Sequence, residues 1–291
     1  MINSPLNYTG NKYKLLKQIL PLINGKSEKF IDVFAGSGLV GLNCDSKEVI
    51  LNDNNKTTVD LLNYFKNNSS KKIISEVDKI ILSYGFTDTH RNGKEAYPEV
   101  KHEGLSKFNK IPFNNLKNDY NNNPDLNKLF SLVIFGFNHY IRYNSKGEFN
   151  VPVGKVDYST SLRKKTEEYV LGFKNKKIII TNKDFRDKSI YKDKEALYYF
   201  DPPYLITQAP YNASWTSQDE QDLLDLLSSL DKKGYKFALS NVIEGNGKKN
   251  NLLINWSKNY NVHFLNRKYL NSNYRKKNIT IAKEVLITNY E

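Results

Sequence analysis

The stretch YYFDPPYLIT, residues 198–207, places two hydrogen-bond acceptors on one short, rigid turn. Asp201 ends an aromatic run with the character of a buried strand and precedes Pro202 and Pro203. Two prolines fix φ near −65° and remove backbone donors, so the Asp201 carboxylate and the Pro202 carbonyl are held still. A fixed pair of acceptors suits an exocyclic amine. The lone pair of such an amine is delocalised into its ring, and an acceptor on each N–H localises it and makes the nitrogen nucleophilic. Tyr204 adds a flat face on which a planar base can stack. Phe200, just before, packs against the sheet or the base. A methyl group on a sulfonium is electrophilic without further help, so this chemistry needs neither a metal nor a nucleophilic side chain.

A second constellation lies near the N-terminus. Gly36, Gly38 and Gly41 spell GxGxxG between a strand and a short helix. Glycines there let the backbone approach a ligand, and a helix N-terminus offers free N–H donors. Asp53 ends the next strand, where a carboxylate can accept from ribose hydroxyls. The pattern admits either NAD or S-adenosylmethionine (AdoMet). Asp53 comes only a dozen residues after Gly41, closer than the roughly 20 typical of dinucleotide sites.

These residues need a sheet to position them. Residues 29–34, 48–51, 177–181, 196–200, 236–239 and 284–288 read as strands. Apolar residues from 12 to 23 and from 57 to 65 follow a helical period, and strand–helix–strand–helix order argues for a parallel sheet. Residues 217–230 predict an amphipathic helix, capped by Ser217 with Glu220 at the capping-box position and stopped by Gly234. Between about 56 and 175 the spacing is mainly helical, with a hairpin candidate over 140–153 turning at Gly147. The expected fold class is therefore α/β, with a discontinuous catalytic half (1–55 and 176–291) around a helical insertion (56–175).

The chain has 291 residues, enough to bury a sizeable core, and its 13% aromatic content argues against disorder. Its formal net charge is +13, from 44 basic against 31 acidic residues, which favours a polyanionic partner such as nucleic acid. Cys44 is the only cysteine, so an internal disulfide and a multi-cysteine metal site are excluded, and the four histidines lack metal-ligand spacing. No apolar run approaches the roughly 20 residues of a membrane span. Residues 1–5 carry no signal pattern, and a cytoplasmic protein without a metal is expected.

Residues 137–154 mix an arginine, amides and aromatics on a turn, a candidate nucleic-acid contact. Arg142 can bond guanine bidentately in the major groove, Phe137 or Tyr140 can wedge between base pairs, and Asn138 can reach a phosphate or base edge. Arg267, Lys268, Arg275 and Lys276 belong to a basic run, free of acids, suited to phosphate contacts.

Residues 7–12 (NYTGNK), 34–38 (FAGSG), 201–204 (DPPY) and 237–241 (FALSN) occur in the order used by Dam-type DNA adenine-N6 methyltransferases. The chain resembles that family over nearly its whole length, its bacteriophage members most. The resemblance implies a Rossmann-like AdoMet-dependent methyltransferase sheet with a target-recognition insertion. It implies a cofactor pocket of Tyr8, Thr9, Gly10, Lys12, Phe34, Ala35, Gly36, Ser37, Gly38 and Asp53, with Asp184 and Phe185 beside the cofactor adenine. Asp201, Pro202, Pro203 and Tyr204 would hold the target base, with Asp201 also bordering the cofactor. Residues 142–144 and 147–152 resemble the family's recognition hairpin, which implies a GATC site, Arg142 on its second guanine-containing half, and DNA contacts that include Asn144 and Lys155. Asn7 and Val156 depart from the lysine and tyrosine of some members, so the first-base contact does not carry over. AdoMet as cofactor, S-adenosylhomocysteine as product, duplex DNA as partner, base flipping, and a monomer or weak homodimer in a bacterial or phage-infected cell complete the expectation. A cognate endonuclease is possible but not required. Three rivals differ by test. RNA adenine or protein amide methylation commonly begins the tetrapeptide with Asn. A DNA-binding module with a vestigial pocket would bind no AdoMet. An NAD dehydrogenase would need an acid or base near the nicotinamide.

Overall fold

The structure, a computed structural model, describes residues 1–6, 10–98, 102–206, 215–245, 247–266 and 282–291. In chain order the helices are α1 (Leu16–Ile23), α2 (Leu39–Asn43), α3 (Lys56–Asn67), α4 (Ser70–Tyr84), α5 (Thr89–Asn92), α6 (Ser106–Asn122), α7 (Leu126–Phe135), α8 (Thr160–Gly172), α9 (Ser217–Lys232) and α10 (Asn251–Trp256). The strands are β1 (Lys29–Asp32), β2 (Glu48–Asn52), β3 (Lys177–Thr181), β4 (Leu197–Phe200), β5 (Lys236–Gly245), β6 (Lys248–Lys249), β7 (Asn261–Leu265) and β8 (Lys283–Thr288). Two compact units result: residues 12–59 with 176–291, and residues 1–11 with 60–175.

The first unit holds the sheet, in the order β3-β2-β1-β4-β5-β8-β7, with β6 paired to β5. Strands β3 to β5 run parallel, and β8 is antiparallel to both β5 and β7. This mostly parallel α/β sheet agrees with the methyltransferase class expected. The central strands are apolar on both faces, as a sheet covered by helices requires; β4, LYYF, is buried throughout. Strand β7 escapes a reading by periodicity because it lies at the sheet edge, where Phe264 faces solvent. Strand β5 outruns the expected 236–239 because β8 and β6 supply its far end with partners.

Helix α9 is capped one residue earlier than expected. Thr216 is the N-cap and Asp219 closes the capping box. Glu220 cannot serve there: its side chain points inward, is fully buried, and accepts from Trp215, Asn241 and Asn250. The helix stops as expected at Gly234 (φ 78°), with Tyr235 N–H donating to the Leu230 carbonyl.

In the second unit α4, α6, α7 and α8 pack around Phe65, Phe113, Phe130 and Tyr169, with edge-to-face rings such as Phe65–Phe130 at 5.0 Å. Residues 1–11 group here, not with the sheet as the expected bounds had it. The physical reason is Gly172 at the end of α8: a Cβ there would lie 2.7 Å from Ile2 Cδ1, so Ile2 seats on that glycine. The expected hairpin is a loop pinned by two isolated bridges, Gly136↔Val153 and Tyr143↔Phe149, and not a ladder. Its turn forms at Gly147 (φ 78°), whose N–H donates to the Asn144 carbonyl.

Candidate active site

The glycine turn and Asp53 make one structure. Gly36 (φ 51°) and Gly38 (φ 68°) occupy the left-handed region that glycine tolerates. The Gly36 N–H donates to Asp53 Oδ2 at 2.9 Å, and the Asn55 N–H donates to Oδ1 at 2.9 Å. Burial raises the Asp53 carboxyl above its usual range, with those two N–H groups opposing it. Each oxygen has a further lone pair for a ligand hydroxyl. Gly41 serves packing: a Cβ there would lie 2.6 Å from Leu51 Cδ2 and 2.9 Å from Val49 Cγ1, so only glycine seats α2 against β2. Ala35 bonds back to β2 through its N–H to the Asn52 carbonyl, and Ser37 is buried in the turn.

Beyond β1 and β3 three rings meet. Phe34 and Phe185 lie 5.5 Å apart, and Trp215 packs on Phe34 at 5.9 Å and on Phe185 at 5.6 Å. Two networks from the start of α9 fix them. Glu220 accepts the Trp215 indole N–H at 2.8 Å. Arg186 covers the Phe185 ring at 4.3 Å and donates to Asp222 at 2.8 Å and to Asp219 at 2.5 Å. Asp184 Oδ1 accepts the Arg186 backbone N–H at 2.9 Å. Motif matching missed Trp215, Arg186 and Glu220. A signal for Trp215 lies in its place just before the α9 cap; Glu220, expected at the capping-box position, is instead the buried acceptor of the Trp215 indole.

Asp201, at the tip of β4, is held tightly. Lys12 Nζ lies 2.7 Å from Asp201 Oδ1; the lysine side chain is 3% exposed and the aspartate 19%. Tyr204 OH lies 3.0 Å from Asp201 Oδ1 and 3.0 Å from Glu284 Oε1. Lys12 is also 3.6 Å from Glu284, which is fully buried on β8, and sits 5.0 Å over the Tyr204 ring. Burial raises the Asp201 carboxyl, Lys12 opposes the rise, and Glu284 adds to it. Beneath lies Asp32, pushed well up by burial and by the charges of Asp201 and Asp53; its Oδ1 has no hydrogen bond among the described residues. Pro202 is buried and Pro203 half-buried. Lys12 is thus an ion-pair partner of the expected catalytic acid. The Tyr204 ring is buried against Ile206 and Val242, not an open platform. Phe200 packs under the sheet on Phe34 and Tyr191. Glu284 and Asp32 carried no motif signal.

In the other unit, Phe137 (44% exposed) and Tyr140 (36%) form an edge-to-face pair at 6.5 Å. Between them Asn138 (φ 54°) and His139 (φ 55°) are both left-handed, an uncommon conformation outside glycine. Arg142 donates from Nε to Asn150 Oδ1 at 2.8 Å and from Nη2 to the Asn150 carbonyl at 2.7 Å, leaving three of its five N–H donors. Asn144 builds the turn: Oδ1 accepts from Lys146 and Glu148 N–H groups, and Nδ2 donates to Glu148. Lys155 is exposed, and its carbonyl accepts the Leu105 N–H. Gly10 adopts φ 85°. Tyr8, Thr9, Arg267, Lys268, Arg275 and Lys276 lie outside the described residues.

Residues 8–278 match the model of the D12 class N6 adenine-specific DNA methyltransferase family. Over 99% of its length the chain is 36% identical to the type II methyltransferase M.FokI of Planomicrobium okeanokoites, covering 43% of that protein. It is 35% identical to the modification methylase StsI of Streptococcus sanguinis, again spanning 43% of it. It is 29% identical to the DNA adenine methylase of Haemophilus influenzae, over 78% of this chain and 75% of that protein. The chain thus spans under half the length of the first two relatives. With the family model matched from residue 8 to residue 278, this chain belongs to the D12 class of N6 adenine-specific DNA methyltransferases.

Proposed function

We propose that this chain transfers a methyl group from AdoMet to the N6 of adenine in duplex DNA. The observation that carries the reading is the held Asp201 at the tip of β4, fixed by Lys12 and Tyr204. Asp201 Oδ2 and the Pro202 carbonyl accept from the two N–H bonds of the amine, which localises the nitrogen lone pair. The donor set suits AdoMet. Asp53 offers acceptors to a ribose diol, the Phe34–Phe185–Trp215 rings offer apolar faces to adenine, and Asp184 and Asp201 favour a cationic ligand over a pyrophosphate. AdoMet would supply an electrophilic methyl there and leave as S-adenosylhomocysteine: the N6 lone pair forms the new N–C bond, the S–CH3 bond breaks, and N6 gives up one proton to solvent. Lys12, Ala35, Gly36, Ser37 and Gly38 complete the pocket in this reading.

The target adenine leaves the stack to be reached. Exposed Phe137 and Tyr140 suit a wedge into the space it vacates, and the free N–H donors of Arg142 suit a guanine edge. Asn138, Lys155 and the basic residues 267, 268, 275 and 276 serve phosphates. In this reading residues 60–175 are the target-recognition unit and the sheet unit the catalytic one. The enzyme works as a monomer or weak homodimer in the cytoplasm, with no endonuclease needed for transfer. The site proposed is GATC, supported by the likeness of residues 142–152 to the Dam recognition hairpin. A second reading keeps the chemistry and changes the site, as part of a restriction–modification pair. It is favoured by the match, along nearly all of this chain, to 43% of a type II methyltransferase and of a modification methylase.

Asp201→Ala is expected to abolish tritiated methyl transfer to a GATC-containing duplex while AdoMet still binds; near-normal turnover would sink the mechanism. Methylation-sensitive sequencing of host DNA separates the two sites. Modified adenines without a GATC core refute the first reading and leave the chemistry intact.

A further inference from the structure

Glu284 lies outside every motif that suggested the site. It sits on β8, between Val242 of β5 and Leu265 of β7 in register, and is fully buried. A carboxylate at that depth is costly unless paired. Its partners include the two groups that hold Asp201: Tyr204 OH stands 3.0 Å from each acid, and Lys12 Nζ is 2.7 Å from Asp201 and 3.6 Å from Glu284. A phenol has one proton to donate, so the two carboxylates compete for it, and they share one ammonium.

We propose that Glu284 is a positioning residue for methyl transfer: by drawing Tyr204 and Lys12 partly away from Asp201, it keeps the Asp201 carboxylate a strong acceptor for the amine N–H. The inference rests on the methyl-transfer reading. Were Glu284 uncharged, the phenol proton and the ammonium would lean further towards Asp201. That carboxylate would then be better stabilised, less basic and a weaker acceptor. The electrostatics have the same sign: Glu284 raises the Asp201 carboxyl, whereas Lys12 and Tyr204 lower it. The other ionisable groups of this cluster are Asp32 on β1, Asp53 after β2 and Tyr199 on β4, which shares a proton with Ser240 at 2.6 Å.

Glu284→Gln keeps the shape and an acceptor and removes the charge. Methyl transfer to an adenine-containing duplex is measured from acid to neutral pH. The expected result is a kcat about ten-fold lower, the scale of losing a partner that orients a functional group. KM for AdoMet and DNA stays unchanged, and the acid limb of kcat moves to lower pH because Asp201 ionises more readily. Tyr204→Phe takes a donor from Asp201 and moves the limb to higher pH. Wild-type kcat and an unmoved limb in Glu284→Gln overturn the proposal. So does a fall in kcat without movement of the limb, which marks a structural role only. If melting curves show that Glu284→Gln does not fold, Tyr204→Phe decides, and a limb that stays or moves to lower pH refutes the sharing of the phenol. A wild-type chain that transfers no methyl to DNA refutes the methyl-transfer reading itself, a separate outcome.

Discussion

Replacing Lys12 with methionine tests the buried charge balance directly. Methionine keeps the apolar stem and removes the ammonium that pairs Asp201 at 2.7 Å and Glu284 at 3.6 Å. Removing one partner of a buried ion pair costs about 3–5 kcal/mol, because the remaining charge is left uncompensated. Asp201 keeps 19% of its side chain in solvent, which screens part of its charge, so the low end, about 3 kcal/mol, applies. For a chain of this size that lowers Tm by about 6 °C or more. The pH dependence has a definite sign. Burial holds the Asp201 and Asp32 carboxyls above their usual range in the folded state, and Lys12 opposes both rises. A carboxyl raised on folding binds its proton more tightly when folded; its stabilising contribution is present at low pH and lost as pH rises through the folded value. Lys12→Met raises both further, so its deficit is greatest at neutral pH and shrinks on acidification. Melts followed by circular dichroism at several pH values measure this. A deficit below about 2 °C at neutral pH, or one that grows on acidification, would refute the reasoning.

Two further predictions concern the frame of the site. Gly41→Ala forces a Cβ to within 2.6 Å of Leu51 Cδ2 and 2.9 Å of Val49 Cγ1; urea unfolding should show a loss of about 1–3 kcal/mol, with weaker AdoMet binding by calorimetry. Glu220→Ala leaves the Trp215, Asn241 and Asn250 donors without their buried acceptor; a loss of about 2–4 kcal/mol is expected, and Trp215 emission should shift to the red as the indole loosens, with an unchanged spectrum counting against the clamp.

The sheet was legible because its strands are short apolar runs ending in punctuating residues. Gly36 and Gly38 mark the turn after β1, Asp53 the end of β2, and the two prolines the end of β4. Each is a local consequence of backbone sterics, and local rules survive without a partner strand. The helical character of the middle region was equally local. What failed needed partners from elsewhere in the chain. The α9 cap moved to Thr216 because Glu220 is drawn inward by Asn241 and Asn250, residues from other elements. The hairpin stayed a loop because Asn121 of α6 pairs both the N–H and the carbonyl of Phe149 in place of a strand ladder. Residues 1–11 left the sheet unit because α8 offers a glycine seat. The sequence alone thus determined which residues stand at the strand tips and what chemistry their types permit. Only the tertiary structure decided their electrostatic state: Lys12 and Glu284 come from distant segments to meet Asp201 and Tyr204, and the strength of a buried carboxylate as an acceptor depends on which charges share its low-dielectric surroundings.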